Sequence, residues 1–166
     1  MKRFLLAFMA LFFTLNISQA QAQTQAFGHQ TSVWNIGLGI VDGAFPITAS
    51  YEYGILGNLF DGKGTLGIGG QAGIAIGNNI VAYTVAPLAA IHYSFIPELD
   101  SYFKLSLGYQ GDSISDKDLA TSINRNRIGW GAHIGTRYFF KPTVGMFGEI
   151  GYGNFAYLTL GVAFTL

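Results

Sequence analysis

The sequence predicts an all-β fold, an eight-stranded antiparallel up-and-down transmembrane β-barrel preceded by a cleavable signal peptide. Eight runs of residues alternate between apolar side chains and small or polar ones, which is the two-residue period of a strand with one oily face. The last run continues to Leu166. Only 11% of the residues are charged, the mean hydropathy is +0.35 and 23 residues are glycine. This composition is unusual for a domain that folds in water.

The amino-terminal segment has the parts of a secretory signal peptide. Lys2 and Arg3 precede an apolar stretch from Phe4 to Leu15, and small residues follow it. The apolar stretch is shorter than the roughly 20 residues that a membrane-spanning helix needs. We therefore predict a signal peptide at residues 1–22 and a single outer-membrane barrel domain at residues 23–166.

The first four runs each place an apolar face opposite mostly small or polar residues. They span Ser32–Val41, Ile47–Ile55, Thr65–Gly77 and Val81–Phe95. Pro87 lies inside the fourth run. Because proline has no N–H to give to a neighbouring strand, we predict a bulge or a local bend at this position.

The last four runs follow the same rule, the seventh less regularly. They span Ser101–Gln110, Arg127–Phe140, Thr143–Tyr152 and the last twelve residues, 155–166. In the last run, the alternation predicts Ala156 on the apolar face and Tyr157 on the opposite face. Because the number of strands is even, both ends of the barrel domain are expected at the same end of the barrel.

One connection is much longer than the others at its end of the barrel. Gly111–Asn126 is predicted to be a solvated, mobile loop at the outer end, and a contact surface for a partner or for lipopolysaccharide is the alternative. The connection Leu56–Gly64 is long for the periplasmic end, where turns are usually short.

The polar faces discriminate between two closed barrels of eight strands, a soluble one with an oily interior and a membrane barrel with an oily exterior. The polar faces are mostly glycine, alanine, serine and threonine. Such a face is a poor water-exposed surface, but it fits a lumen that is only just wide enough for side chains. The sequence therefore favours the membrane barrel.

The aromatic residues of the oily faces support this interpretation, because they gather near the two ends of the runs. Membrane barrels carry such girdles at both interfaces. The predicted girdle residues are Trp34, Tyr51, Tyr53, Tyr83, Tyr93, Phe103, Tyr109, Trp130, Tyr138, Tyr152 and Phe164.

A set of charged and histidine residues falls on the lumen faces. The predicted lumen network consists of Glu52, His92, Lys104, Arg127, His133, Arg137 and Glu149. Charges in a narrow interior are costly unless they are paired, so we expect ion pairs that plug the lumen. The alternative is that these pairs switch partners and open a small-solute or ion channel.

The sequence offers no pattern for catalysis, cofactor binding or metal binding. The chain has no cysteine, which excludes disulfides, thiolate chemistry and a lipidated cysteine. The three histidines lie on separate segments, without metal-ligand spacing. We predict no catalytic, cofactor or metal site and no nucleic-acid partner, and consider a lipid A-modifying enzyme the less favoured alternative.

Together these features resemble the small outer-membrane barrels of Gram-negative bacteria, of the type of OmpX and the OmpA membrane domain. The stretches Tyr138–Pro142 and Phe147–Gly153 also resemble uncharacterised barrel-domain proteins of Bacteroidetes. The ending Thr159–Leu166 is similar to the sorting signal that barrel-assembly machinery reads, with Gly161, Phe164 and Leu166 at its key positions.

The resemblance implies a location more than an activity. We expect a monomer in the outer membrane that contacts outer-membrane lipid, lipopolysaccharide and the barrel-assembly machinery. A structural or lipopolysaccharide-contact role is the preferred hypothesis. Three of the four outer loops are short, which argues against an adhesin.

Overall fold

A computed structural model describes residues 25–41, 44–77, 79–116, 121–153 and 156–166. The predicted signal peptide lies outside these residues. The described chain forms strands β1 to β8, which are Ser32–Ile40, Ala44–Leu59, Gly64–Gly77, Ile80–Ile96, Leu99–Asp116, Thr121–Lys141, Val144–Gly153 and Leu158–Thr165. Within the described part of the chain, no helix has the length and apolarity needed to cross a membrane.

The strands form a closed barrel in sequence order, with every neighbour antiparallel. The ring closes where β8 pairs with β1 over eight residue pairs, which include Trp34 with Phe164 and Leu38 with Leu160. This closure confirms the predicted eight-stranded antiparallel barrel.

The alternation in the sequence becomes an alternation between the outside and the inside of the barrel. Outward apolar side chains are strongly exposed, with Ile128 at 78%, Leu38 at 67% and Leu160 at 60% of their surface. Inward side chains of the same strands are buried, and many of them are polar or charged. The polarity is therefore the reverse of that in a protein folded in water, where apolar residues are inside.

The two ends of the barrel differ. We call the end that holds residue 32 and residue 165 the near end, and the opposite end, with the β5–β6 hairpin, the far end. Two near-end connections, Ile96–Leu99 and Lys141–Val144, are tight turns. The described segment before β1 turns into the near-end lumen, where Ala26 and Phe27 are 3% and 1% exposed.

The predicted long loop Gly111–Asn126 is wrong for most of its length. Strands β5 and β6 continue as a paired ladder from Gly111 with Asn126 to Asp116 with Thr121. Strand β7 pairs with β6 only from Gly131 onward. The hairpin therefore rises beyond its β7 neighbour, and our prediction missed it because these residues have no sustained apolar face.

Strand β2 also extends beyond its predicted bounds at both ends. It begins at Ala44, includes Pro46 opposite Ala75, and reaches Leu59, which pairs with Gly64. The predicted connection Leu56–Gly64 is thus shortened to the turn at residues 60–63, and the pairing of β2 with β3 shifts register on both sides of Leu56.

Pro87 interrupts the sheet without shifting its register. The β4–β5 pairs jump from Val85–Tyr109 to Leu88–Ser106, and the alignment is the same on both sides of the gap. On the other side, Pro87 still pairs in register with Gly70 of β3. The predicted bulge is therefore a local opening of one ladder, where proline has no N–H to donate.

The predicted sides of Ala156 and Tyr157 are reversed. Ala156 is buried and Tyr157 is 43% exposed. Both residues precede β8, which begins at Leu158, so the alternation of the strand does not reach them. From Leu158 onward the predicted alternation and the observed one agree.

Candidate functional site

The lumen is the candidate site, because it gathers ionisable side chains from five of the strands. Six of the seven predicted network residues are buried inside it. They are Glu52 on β2, His92 on β4, Lys104 on β5, and His133 and Arg137 on β6, with Glu149 on β7.

Arg127, the seventh, lies outside the enclosed lumen. Its side chain is 62% exposed at the far end, where Nη1 is 3.4 Å from Asp112 Oδ1. Its Nε also donates to Gln110 Oε1 over 3.2 Å. Arg127 lies on the inward face of β6, as the alternation predicts, but close enough to the far end for solvent to reach its side chain.

Arg137 organises the near-end layer of the lumen. Its guanidinium is fully buried and forms ion pairs with Glu52 and with Asp100, the latter over 2.9 Å. Asn35 adds a hydrogen bond from Nδ2 to Glu52 Oε1 at 3.3 Å. A planar guanidinium presents several N–H groups in a fixed fork, so one side chain can serve two carboxylates.

His92 is placed between the same two carboxylates. Its Nδ1 is 3.0 Å from both oxygens of Asp100, and its Nε2 is 3.2 Å from Glu52 Oε2. The Glu52 contact is close without being a well-aligned hydrogen bond. Because both ring nitrogens face carboxylate oxygens, the geometry fits an imidazolium, which carries a proton on each nitrogen.

A second layer lies next to the first along the lumen. Lys104 Nζ donates to both oxygens of Glu149, at 2.7 and 2.6 Å. The Tyr102 hydroxyl donates to Glu149 Oε1 over 2.6 Å. The Arg137 guanidinium lies 4.3 Å from the centre of the Tyr102 ring, so Tyr102 joins the two layers.

The charges of the two layers balance when His92 is protonated. Glu52, Asp100 and Glu149 supply three negative charges, and Lys104, Arg137 and the His92 imidazolium supply three positive ones. A neutral, mutually bonded group of this kind avoids the cost of an uncompensated buried charge. The two layers therefore fill this level of the lumen with buried, paired side chains.

A cavity of about 30 Å³ adjoins the second layer in the lumen. Its lining includes Thr48, Thr84, Thr159 and Phe147, with Lys104 and Glu149 at its near side. His133 donates from Nε2 to the Ala156 carbonyl oxygen over 3.2 Å. A space of this size holds about one water molecule.

Three lumen residues were not predicted. Asp100 precedes the predicted fifth run, which begins at Ser101, whereas β5 begins at Leu99 and Asp100 continues the inward face of Tyr102 and Lys104. Tyr102 was not among the predicted network residues, although it lies in the fifth run on the same face as Lys104. No alternation in the sequence marks Phe27, because it precedes β1 and is buried only by the closed barrel around it.

The predicted girdle residues all lie on the outer face. Trp34, Tyr51 and Tyr93 are partly exposed and the remaining eight are exposed. Several contact one another across strands: Trp34 with Tyr51 at 4.9 Å, Tyr83 with Tyr109 at 6.1 Å and Trp130 with Tyr152 at 6.0 Å between ring centres. Phe164 and Leu166 of the predicted sorting signal also point outward, whereas Gly161 faces inward.

The ionisable residues of the lumen can be compared with the groupings that a metal ion requires. Among the residues that the structure describes, no group of three histidine, aspartate or glutamate residues could hold a metal ion. His92 and Ser94 share the inward face of β4, yet the ring nitrogens of His92 face Asp100 and Glu52.

Solved structures with the same architecture include three bacterial barrels. The amino-terminal β-barrel domain of Pseudomonas aeruginosa OprF is 15% identical with a TM-score of 0.60, and the match covers 84% of this chain and 99% of that one. Neisserial surface protein A is 13% identical with a TM-score of 0.58, covering 82% and 95%. Ail, the attachment invasion locus protein of Yersinia pestis, is 13% identical with a TM-score of 0.51, also covering 82% and 95%.

No family model matches the sequence, and no curated protein matches it. At these identities the solved structures show the fold alone. The closed ring of eight antiparallel strands is the feature that this chain shares with them. The chain has the fold of the small eight-stranded outer-membrane β-barrels.

Proposed function

We propose that the protein is an integral outer-membrane barrel with a closed lumen, whose role is structural and includes contact with lipopolysaccharide. The proposal rests on one observation: the barrel has an exposed apolar exterior, and its lumen is filled by charged side chains that form ion pairs. An apolar surface of this extent is not stable in water, because exposed apolar patches on soluble proteins are small. The filled lumen argues against a pore.

The orientation follows from the two ends. Outer-membrane barrels have short periplasmic turns and longer extracellular loops. The near end has the tight turns Ile96–Leu99 and Lys141–Val144, and the far end has the long β5–β6 hairpin. We therefore place the near end in the periplasm and the far end outside the cell.

Contact with lipopolysaccharide is supported by the far end. Arg125 and Arg127 are exposed on β6, just beyond the outward Trp130. Arginine is well suited to phosphate, because its fork of N–H groups matches phosphate oxygens. Tyr83 and Tyr109 on the neighbouring strands expose aromatic rings at the same end of the barrel.

Lipopolysaccharide binding is tested by replacing charge at one end of the barrel. We expect Arg125→Gln with Arg127→Gln to reduce the lipopolysaccharide retained by the purified barrel about tenfold, since two phosphate contacts are lost. The matched control is Lys63→Gln with Lys141→Gln, which removes two exposed cations from the near end. Equal retention by both double variants would reject the far-end contact.

A small-solute channel is the second candidate. Tyr102 supports it, because this residue contacts Glu149 of one layer and Arg137 of the other, so that a movement of one layer is transmitted to the other. Conduction requires both layers to separate. Planar bilayer recordings of the purified barrel discriminate the two functions: we expect no current steps above background, and reproducible unitary steps would favour the channel over the closed barrel.

A further inference from the structure

The near-end lumen is closed by a second element besides the charged layers. The segment Gln25–Thr31, which we call the amino-terminal plug, precedes β1 and enters the barrel. Its residue Phe27 is only 1% exposed, and Ala26 beside it is 3% exposed. Burial this complete is unusual for a chain segment outside the regular strands, since such segments normally lie at the surface.

Backbone hydrogen bonds direct the plug inward. Gln30 N donates to the Gly54 carbonyl oxygen over 2.8 Å, and Gly54 N donates to that of Thr31 over 3.0 Å. Thr31 N in turn donates to the Gly28 carbonyl oxygen over 3.2 Å, which closes a tight turn. Gln30 has a φ of 64°, in the left-handed region. The chain thus reverses at the rim of β2 and points Phe27 into the lumen.

The seat of Phe27 consists of cationic and aromatic groups of the near-end layer. The Phe27 ring centre is 4.0 Å from that of His92, with 31° between the planes. The Arg137 guanidinium is 5.7 Å from the same ring. The face of an aromatic ring attracts cations, so a protonated His92 and Arg137 both favour Phe27 at this position.

The barrel wall has space for the plug at two glycines. A Cβ on Gly54 would overlap the Gly28 carbonyl oxygen, and a Cβ on Gly67 would lie 3.1 Å from Phe27 Cε1 and 3.0 Å from His92 Nε2. A side chain at either position would occupy the volume of the plug or of its seat. The wall and the segment are therefore complementary in shape.

We propose that the near-end mouth of the lumen is a binding site for the protein's own amino-terminal segment, with Phe27 seated on His92 and Arg137, and that this segment opens and closes the near end of the barrel. The plug is held mainly by one aromatic side chain and a few hydrogen bonds to the wall. It can therefore leave its seat without breaking the strand ladders. This inference concerns access to the lumen from one end and is separate from lipopolysaccharide binding at the other end.

The absence of cysteine makes the plug directly measurable. Ala26→Cys introduces a single thiol at the buried plug position, and His29→Cys introduces one at an exposed plug position. Both are reacted with a water-soluble maleimide in the folded, membrane-reconstituted barrel. We expect the buried thiol to react at least about tenfold more slowly, because it must wait for the plug to open.

Two further substitutions remove the plug in different ways. Phe27→Ala deletes the seated ring, and Gly54→Ala fills the wall space that the plug crosses. In each background we expect the Ala26→Cys thiol to react nearly as fast as the exposed reference thiol. The matched control is Gly70→Ala, where a Cβ would meet only the Ala86 carbonyl oxygen at 3.7 Å, and where we expect no change in rate.

The outcomes decide the proposal. Heat-modifiable gel migration first shows which variants keep a closed barrel, and either Phe27→Ala or Gly54→Ala suffices if the other does not fold. A parent barrel whose Ala26→Cys thiol reacts as fast as the His29→Cys reference would overturn the plug. So would a folded Phe27→Ala or Gly54→Ala variant that leaves the slow rate unchanged. Bilayer conductance tests the closed lumen separately, because the Lys104–Glu149 layer remains in all these variants.

Discussion

At the residue scale, Arg137 is the group on which the near-end layer depends. It bonds two carboxylates from different strands, contacts the rings of Phe27 and Tyr102, and is fully buried. Removing one partner of a buried ion pair leaves an uncompensated charge, which is more costly than the pair itself is stabilising. We therefore expect the side chain to make a large contribution to the stability of the barrel.

We predict that Arg137→Gln lowers the free energy of unfolding by about 3–5 kcal/mol, since Glu52 and Asp100 lose their common partner. Urea unfolding in lipid vesicles, followed by tryptophan fluorescence, measures the change. Arg127→Gln is the control: its exposed ion pair should contribute less than about 1 kcal/mol. Similar losses in both variants would contradict the role assigned to the buried cluster.

The Lys104–Glu149 ion pair of the second layer can be tested by replacing one partner and then both. Lys104→Met alone should destabilise the barrel, because among the described residues Glu149 then keeps the Tyr102 hydroxyl as its single hydrogen-bond partner. Adding Glu149→Gln removes the unpaired charge and should recover at least about 1 kcal/mol of unfolding free energy. Unfolding curves of the two single variants and the double variant test this. A double variant less stable than Lys104→Met would show that the charge on Glu149 is satisfied without the lysine.

At the scale of the strands, the β1–β8 seam is where a substitution affects closure. Gly161 faces inward on β8, and a Cβ there would overlap the Ile36 carbonyl oxygen and crowd Gly37 on β1. The two strands approach too closely for any side chain at this position. Glycine at 161 is thus required by packing, whatever part it has in sorting.

We predict that Gly161→Ala destabilises the folded barrel by about 1–3 kcal/mol, the usual cost of overpacking. The fraction that migrates as the folded form in an unheated gel should fall. Gly148→Ala on β7 is a suitable comparison, because its Cβ would meet only the end of the Leu160 side chain at 3.2 Å, which can move. A folded fraction for Gly161→Ala equal to that of Gly148→Ala would refute the close seam.

Strand β4 offers a different experiment at Pro87. The ladder to β5 is missing at this point although the register is intact on both sides. Restoring an N–H with Pro87→Ala should let the two strands pair across the gap. We predict that the new amide at position 87 is protected from hydrogen exchange as strongly as that of Val85. Rapid exchange at position 87 would show that something other than the missing donor holds the strands apart.

At the scale of the whole molecule, the alternation of side chains was sufficient to predict the barrel. Each strand crossing the apolar zone must present an oily face, so Leu38, Ile134 and Leu160 mark the strands in the sequence. Beyond the apolar zone a strand needs no oily face, so the alternation no longer marks it. The part of β6 that contains Arg125 and Asn126 was therefore predicted to be a loop. The buried Glu52, Lys104, Arg137 and Glu149 could be predicted because they interrupt small-residue faces.

The pairings inside the lumen could not be predicted in the same way. Which carboxylate meets Arg137 depends on the register between strands that are distant in sequence, and Asp100 lies at a strand boundary. The position of Phe27 depends on the closed wall around it. These features arise when the barrel closes, so the pattern of side chains within one strand does not predict them.

The pairing of β1 with β8 has a consequence for biogenesis. Of the eight described strands, β1 is synthesised first and its final neighbour β8 last, so one edge of β1 stays open until the other strands have formed. An open apolar edge of this kind invites pairing with other chains. Because the chain has no cysteine, no disulfide holds the two ends together. The pairing of β8 with β1 is what removes this open edge.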